Sequence, residues 1–249
     1  MRILLVEDDH PSALFARAIL QGASMVVDTV GTGEEAIEMA RIYDYDLMLL
    51  DLGLPDMDGY DVLRALRAGR NPVPVLMLSA NARPDARVKA LNTGADDFLT
   101  KPFDGRELVA RIQAIVRRGK GYCEPSLSMG NLSLNLGSRE VCVGDRQVHL
   151  TGKEFAILEL LMLRRGMTQT KEAFLNHLYG GLDEPDAKII DVFVCKLRKK
   201  LSDAGAGNVI GTVWGRGYVM REPTAEVTRM PGRGATGAPV AELVQAQAA

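Results

Sequence analysis

Two periods alternate along the first half of the chain. The runs ILLV (3–6), MVVDTV (25–30), LMLLDL (47–52), PVPVLMLS (72–79) and DFLT (97–100) are short and nearly all apolar. Between them, residues 10–22, 31–43, 58–69, 84–92 and 104–119 carry apolar positions at helical spacing. Short continuous apolar runs separated by amphipathic helices indicate parallel strands buried on both faces. Five such units predict an α/β fold, an open doubly wound (βα)5 sheet spanning residues 1–118. Thr32 and Glu35, and again Thr151 and Glu154, sit three apart at predicted helix starts, as a capping box requires.

The pattern changes near Arg118. The segment 119–126 is rich in Gly, Pro and Ser and is expected to be a linker. Residues 127–151 alternate with period two and are broken by Gly-Ser and Gly-Asp turns, which predicts a small antiparallel sheet. Helical spacing returns over 151–167, 170–181 and 186–205, and 209–220 reads as a β-hairpin turning at Gly215-Arg216-Gly217. The second domain is therefore expected over 127–222. Residues 223–249 are Ala-, Gly- and Pro-rich without periodic apolar positions and are expected to be a disordered tail.

Charge separates the two halves. Residues 1–118 hold 14 Lys and Arg against 18 Asp and Glu, and residues 119–223 hold 14 against 12. An acidic module followed by a mildly basic one implies two different partners. The three cysteines, Cys123, Cys142 and Cys195, form no C-x-x-C pair, which argues against a disulfide framework or a zinc site and fits a reducing cytoplasm. No segment has the length or composition of a signal peptide or a membrane span.

Candidate chemistry gathers at the carboxyl ends of the predicted strands, where open parallel sheets place their sites. The first strand ends in Glu7-Asp8, the third in Asp51, the fourth in Ser79 and the fifth in Lys101. Acids at strand ends often only begin loops, but five matching termini demand a common explanation. Clustered carboxylates stay ionised only with positive compensation, and an oxygen-rich site suits Mg2+. Lys101 and the Ser79 hydroxyl could neutralise a phosphoryl group carried on Asp51.

The motifs LLVEDD, LLDLGLPDMDG, LSA and TKPF, in this order and spacing, resemble the receiver domain of bacterial response regulators. The resemblance implies that Asp51 accepts phosphate from a histidine kinase or phosphotransfer protein. It implies that Asp8, Asp51 and the Gly53 carbonyl bind Mg2+, with Glu7 acting through water. Lys101, before a cis Pro102, would contact the phosphoryl group, Ser79 would be the switch hydroxyl, and Phe98 would stand where many receivers carry a rotating Tyr. Simple packing is the competing reading of Phe98. Phosphatases with an aspartate nucleophile place a second Asp two residues on; this chain has Gly53 there, which favours a switch that is not an enzyme in its own right.

After its first residue, Asp186, the predicted helix 186–201 carries Lys188, Lys196, Arg198, Lys199 and Lys200 against one acid, Asp191. Ile190, Val194, Leu197 and Leu201 form its buried stripe, with Val192, Lys196 and Lys199 roughly opposite. Such a helix fits a DNA major groove, although a charge run is often only a solvated face. Arg216 at the hairpin tip strengthens the reading. The order of sheet, three helices and hairpin resembles the winged-helix DNA-binding domain, with its N-terminal antiparallel sheet, of the OmpR/PhoB family. That resemblance implies base contacts from Val192, Phe193 and Lys196, phosphate contacts from Lys188, Arg198 and Lys199, and a wing contact from Arg216. It also implies a homodimer formed on activation through Arg87, Asp97, Glu107 and Arg111, and allows RNA polymerase as a further partner. The terminal Ala248-Ala249 fits a signal read by a protease or its adaptor, and equally a frayed tail. Two other functions stay open on the residues alone. They are a phosphotransfer intermediate with an inert second domain, and a constitutive DNA-binding protein whose receiver is not controlled by phosphate.

Overall fold

The computed structural model describes residues 1–124, 126–180 and 185–222. The expected disordered tail and the Ala248-Ala249 signal lie outside the described residues. The first domain contains β1 (Arg2–Val6), α1 (His10–Gly22), β2 (Val26–Val30), α2 (Gly33–Ile42), β3 (Leu47–Asp51), α3 (Gly59–Ala68), β4 (Val75–Ser79), α4 (Pro84–Thr93), β5 (Asp97–Thr100) and α5 (Gly105–Gly119). The strands are parallel in the order β2-β1-β3-β4-β5, so β1 and β3 lie side by side at the centre.

Strand alternation divides the apolar side chains between the two faces. Ile3, Leu5, Leu47, Leu49, Leu76 and Leu78 join α1 and α5 residues in one cluster, while Leu4, Val6, Met48, Leu50, Val75 and Met77 join α2 and α3 residues in the other. Full burial of a Leu or Ile side chain contributes about 1.5–3 kcal/mol, so these strands are strongly fixed in register. The fourth strand starts at Val75 rather than at Pro72, because Pro72 and Pro74 have no N–H for a parallel ladder.

The second domain contains β6 (Ser126–Met129), β7 (Leu132–Asn135), β8 (Val141–Val143), β9 (Arg146–Gln147), α6 (Gly152–Leu163), α7 (Lys171–Tyr179), α8 (Lys188–Asp203), β10 (Ile210–Val213) and β11 (Gly217–Met220). β6 to β9 form an antiparallel sheet in sequence order, and β10 pairs with β11 as the wing. The Thr151–Glu154 capping box is complete in both directions. At α2 the box is half formed: Thr32 caps Glu35 N–H, but Glu35 accepts from Gly31 N–H.

The prediction for the first helix of this domain overran. α6 stops at Leu163 instead of continuing to Met167, since Gly166 takes a left-handed conformation and its N–H turns to the Met220 carbonyl at 3.1 Å. The α1 and α5 side of the receiver and the second domain share one apolar cluster, whose second-domain members include Leu127, Leu134 and Leu158. The linker is fastened to the second domain by Tyr122, whose hydroxyl donates to the Met162 carbonyl at 2.8 Å.

Candidate functional sites: an acidic pocket and a basic helix

β1 and β3 end next to each other, and their carboxylates converge. Ligand oxygens of Glu7, Asp8 and Asp51 lie within 4.8 Å of one another. Glu7 and Asp51 are buried and Asp8 is exposed. Lys101 reaches in from the end of β5, with Nζ 2.6 Å from Glu7 Oε2 and 3.1 Å from Asp51 Oδ2. Asp51 Oδ1 accepts the Leu52 N–H at 2.8 Å. The Lys101-Pro102 peptide is cis, as expected.

The electrostatics follow from burial. Desolvation pushes Glu7 above the ordinary carboxylate range; the Lys101 hydrogen bond opposes the shift and the Asp51 charge adds to it. For Lys101, burial disfavours the ammonium, but bonds to Glu7 and Asp51 outweigh burial and raise its pKa. One buried oxygen, Glu7 Oε1, has no hydrogen-bond partner among the described residues. Three converging carboxylates with an orphaned oxygen are a suitable donor set for a hard divalent cation.

The structure gives the surroundings of Gly53, Phe98 and Ser79. Gly53 is not required for space or for backbone conformation: a Cβ there would meet nothing within 4 Å and its φ is ordinary. Gly59 is the position that needs to be glycine, because a Cβ would lie 2.4 Å from the Asp51 carbonyl oxygen. Phe98 already points inward, at 2% exposure, with the Arg87 guanidinium 5.9 Å from its ring. Ser79 is buried beside the pocket in β4, and its Oγ accepts the Asn81 N–H at 2.9 Å.

The loop after β3 is held from outside the pocket. Asp56 accepts the N–H groups of Gly33 and Glu34 at 2.9 and 3.0 Å, which caps α2 and keeps Asp56 below the usual carboxylate range.

In the second domain, α8 buries Ile190, Val194, Leu197 and Leu201, as expected. Its outward stripe is Lys188, Val192, Cys195, Lys196 and Lys199, all exposed and covering roughly 16 Å of helix. The Lys188, Lys196 and Lys199 ammoniums and the Arg216 guanidinium make no ion pair or hydrogen bond among the described residues. Other cations are committed. Lys171 pairs with Asp191 at 2.7 Å, and Lys200 pairs with Glu154 at 2.7 Å.

Two residues expected to contact DNA also have partners within the domain. Arg198 is tied to the wing, donating to the Ile210 carbonyl at 2.7 Å and to Thr212 Oγ1 at 2.8 Å. Phe193 is half-buried and packs against the core. Trp214, 91% exposed beside Arg216, was not picked out from sequence, although an aromatic at a hairpin tip with no apolar neighbour to cover it is a legible signal.

The proposed dimer residues form contacts within the chain. Arg111 pairs with Asp97 at 2.6 Å and with Glu107 at 2.7 Å. Val88 and Leu91 on α4 are exposed.

A doubly wound domain with an acidic pocket, followed by a winged helix with an unpaired basic stripe, defines the class of response regulators that bind DNA. Residues 3–113 match the family described as "Response regulator receiver domain", and residues 145–220 match "Transcriptional regulatory protein, C terminal". The chain belongs to the OmpR/PhoB family of phosphorylation-controlled transcription regulators.

Within that family it is CtrA-like. It is 56% identical over 229 residues to "Cell cycle response regulator CtrA" of Brucella ovis, a match covering 91% of this chain and 98% of the relative. The protein of the same name from Brucella anthropi is 55% identical over 228 residues, with the same coverage. Among solved structures, the Thermotoga maritima response regulator DrrB, an OmpR/PhoB homologue, is 28% identical with a TM-score of 0.43. That match covers 88% of this chain and 98% of DrrB. Among the described residues, no helix is long and apolar enough to cross a membrane.

Proposed function

We propose that Asp51 is the phosphoacceptor of a cell-cycle regulator working in the cytoplasm, and that its phosphorylation controls binding of α8 and the wing to DNA. The observation that carries the first part is the convergence of Glu7, Asp8 and Asp51 within 4.8 Å, with Lys101 bridging two of them. An Asp51 carboxylate oxygen attacks the phosphorus of a phosphohistidine on the donor protein. The P–N bond breaks, its electron pair stays on the imidazole nitrogen, and an acyl phosphate remains on Asp51.

Mg2+ would be held by Asp8, Asp51 and the Gly53 carbonyl, with Glu7 through water, and supplies charge neutralisation for phosphoryl oxygens. Lys101 moves its hydrogen bond from Asp51 to the phosphoryl group and keeps Glu7. Ser79 turns its hydroxyl from Asn81 toward the same oxygens, with Phe98 packed behind.

The kinase or phosphotransfer partner has an apolar landing area next to the pocket. Leu14 and Phe15 on α1 are exposed, and Phe15 lies 6.2 Å from Phe103, two residues after Lys101.

Receivers pair through the face of α4, β5 and α5, where Arg87, Asp97, Glu107 and Arg111 lie around exposed Val88 and Leu91. Pairing requires Arg111 to share or exchange the partners it already holds. Exposed pairs of this kind contribute about 0–1 kcal/mol each, so they set geometry more than affinity. Pairing places two winged helices on neighbouring DNA sites and raises their effective concentration. RNA polymerase, and a protease or adaptor at the tail, remain partners in this reading.

On DNA, Val192 and Lys196 face bases, Lys188 and Lys199 hold phosphates, and Arg216 with Trp214 meets the backbone or minor groove beside the wing. Lys196→Ala should weaken specific binding roughly 5- to 150-fold while changing non-specific binding little. Lys199→Ala should weaken both equally and reduce the salt slope by about one. Titrations against specific and random duplexes over a range of salt check both; an equal loss for Lys196→Ala removes it from the base-reading set.

A further inference from the structure

Among the helices of the receiver, α4 buries least. Ala90 is its one buried side chain, Ala86 is half-buried, and its N-cap residue, Arg83, makes no side-chain cap bond. An alanine methyl contributes little by burial, so the place of α4 is set by what lies beneath it. Two rings share an apolar cluster with Ala90 there: Phe98 of β5 and Tyr60 of α3.

Phe98 has no polar handle, but Tyr60 has one. Tyr60 is buried, and its hydroxyl donates to the Ala86 carbonyl in the first turn of α4 at 3.0 Å. Three residues on, the Lys89 ammonium lies 3.9 Å from the centre of the same ring. Burial and the Asp58 charge raise the Tyr60 pKa, so the phenol keeps the proton it donates.

Tyr60 stands on a rigid support. Its N–H is capped by Asp58 at 3.0 Å, and Val62, Leu63 and Leu66 of the same helix are buried. The preceding Gly59 packs on the Asp51 carbonyl too closely for any side chain, and its N–H donates to the Leu52 carbonyl at 3.0 Å. The ring is therefore referenced to the backbone of Asp51 itself.

A second tie reaches α4 from Ser79. Ser79 Oγ accepts the Asn81 N–H at 2.9 Å, and Asn81 Oδ1 accepts the Arg83 N–H at 3.0 Å. The second domain rests elsewhere on the receiver. There the Met1 α-ammonium donates to Glu159 Oε2 at 2.7 Å and reaches His177 Nε2 at 3.3 Å, while His177 Nδ1 faces Asp46 Oδ2 at 3.7 Å. The Arg2 guanidinium reaches the Gly180 carbonyl at 3.4 Å. Among the described residues, no hydrogen bond or ion pair joins α4 to the second domain.

We propose that Tyr60 is the positioning residue that holds α4 in its unphosphorylated place. Turning Ser79 toward the phosphoryl group on Asp51 frees the Arg83 end. The helix then leaves the Tyr60 hydroxyl, carrying Arg87, Val88 and Leu91 into the position that a second receiver accepts. The proposal deepens the phosphorylation and pairing reading above and rests on it.

Tyr60→Phe keeps the ring, its packing and the Lys89 contact, and removes only the hydroxyl. Loss of one neutral hydrogen bond should favour release of α4 about fivefold per protomer. Two protomers must release together, so the unphosphorylated full chain should pair roughly 25-fold more tightly than wild type in sedimentation equilibrium. After acetyl-phosphate labelling the two proteins should pair equally, because the catch is already open. Hydrogen exchange over residues 81–91 should be about fivefold faster in the unlabelled variant and equal in the labelled proteins.

Unlabelled pairing and exchange equal to wild type overturn the role of Tyr60. So does a gain in pairing of the same size with and without label, which would mean that the substitution reshapes the paired face. If labelled wild type does not pair, the pairing reading fails, and hydrogen exchange alone decides whether Tyr60 holds α4. If Tyr60→Phe fails to fold, Lys89→Met carries the same test. It keeps the stem and removes the cation over the ring, with about twofold expected per protomer and fourfold for the pair.

Discussion

Asp51→Asn should take up no phosphate from acetyl phosphate or a phosphohistidine donor, and should remain folded. The loss is chemical: the amide oxygen is a poor nucleophile and no acyl phosphate can form on it. The fold should tolerate the change, because Asn retains an acceptor for the Leu52 N–H and removes a charge facing Glu7. Thermal unfolding should therefore show a midpoint equal to or above that of wild type. Intact-mass or radiolabel measurement checks the first outcome and calorimetry the second. Undiminished labelling of Asp51→Asn would place the acceptor elsewhere.

Gly217→Ala should be the most damaging single methyl group in the DNA-binding domain. The φ of Gly217 is +136°, a region that L side chains avoid, and its Cβ would lie 2.0 Å from the Gln169 carbonyl oxygen. That carbonyl accepts the Tyr218 N–H at 3.0 Å, while Gln169 N–H donates back to Tyr218 at 2.8 Å. The wing is thus stitched to the segment before α7 at the one place where an added carbon has no room. Backbone strain and overpacking together should cost about 3 kcal/mol or more. Gly215→Ala is the control: it is also left-handed, at +71°, but open, and should cost only about 1–2 kcal/mol. DNA binding should collapse in Gly217→Ala while phosphate labelling persists. Equal stability of the two variants would show that the wing shifts to make room.

Much of this was legible in the chain. The acids and Lys101 could be placed because strand length and alternation fix where each side chain emerges, and the site is a property of strand ends. The outward stripe of α8 could be read because a 3.6-residue period separates Val194 and Leu197 from Lys196 and Lys199. The partner of Arg198 was not legible, because periodicity gives a direction but not a partner; the Ile210 carbonyl that it bonds lies twelve residues on. Gly53 drew attention by standing two residues after Asp51, while the need at Gly59 arises from a carbonyl eight residues earlier that only the folded loop brings close. The Met1, Asp46, Glu159 and His177 cluster has no sequence signature at all. Its members are scattered over 177 residues, and each is unremarkable until two domains meet.

The unbroken packing of receiver and winged-helix side chains also bears on modularity. Joining this receiver to another effector domain at the linker looks simple in sequence. Yet such a hybrid would leave Tyr122 without Met162, Arg2 without Gly180, and the Met1 ammonium without Glu159. A graft that respects the fold must carry the α6 and α7 surface along with the receiver. For this protein the unit of exchange is the matched pair, not the domain.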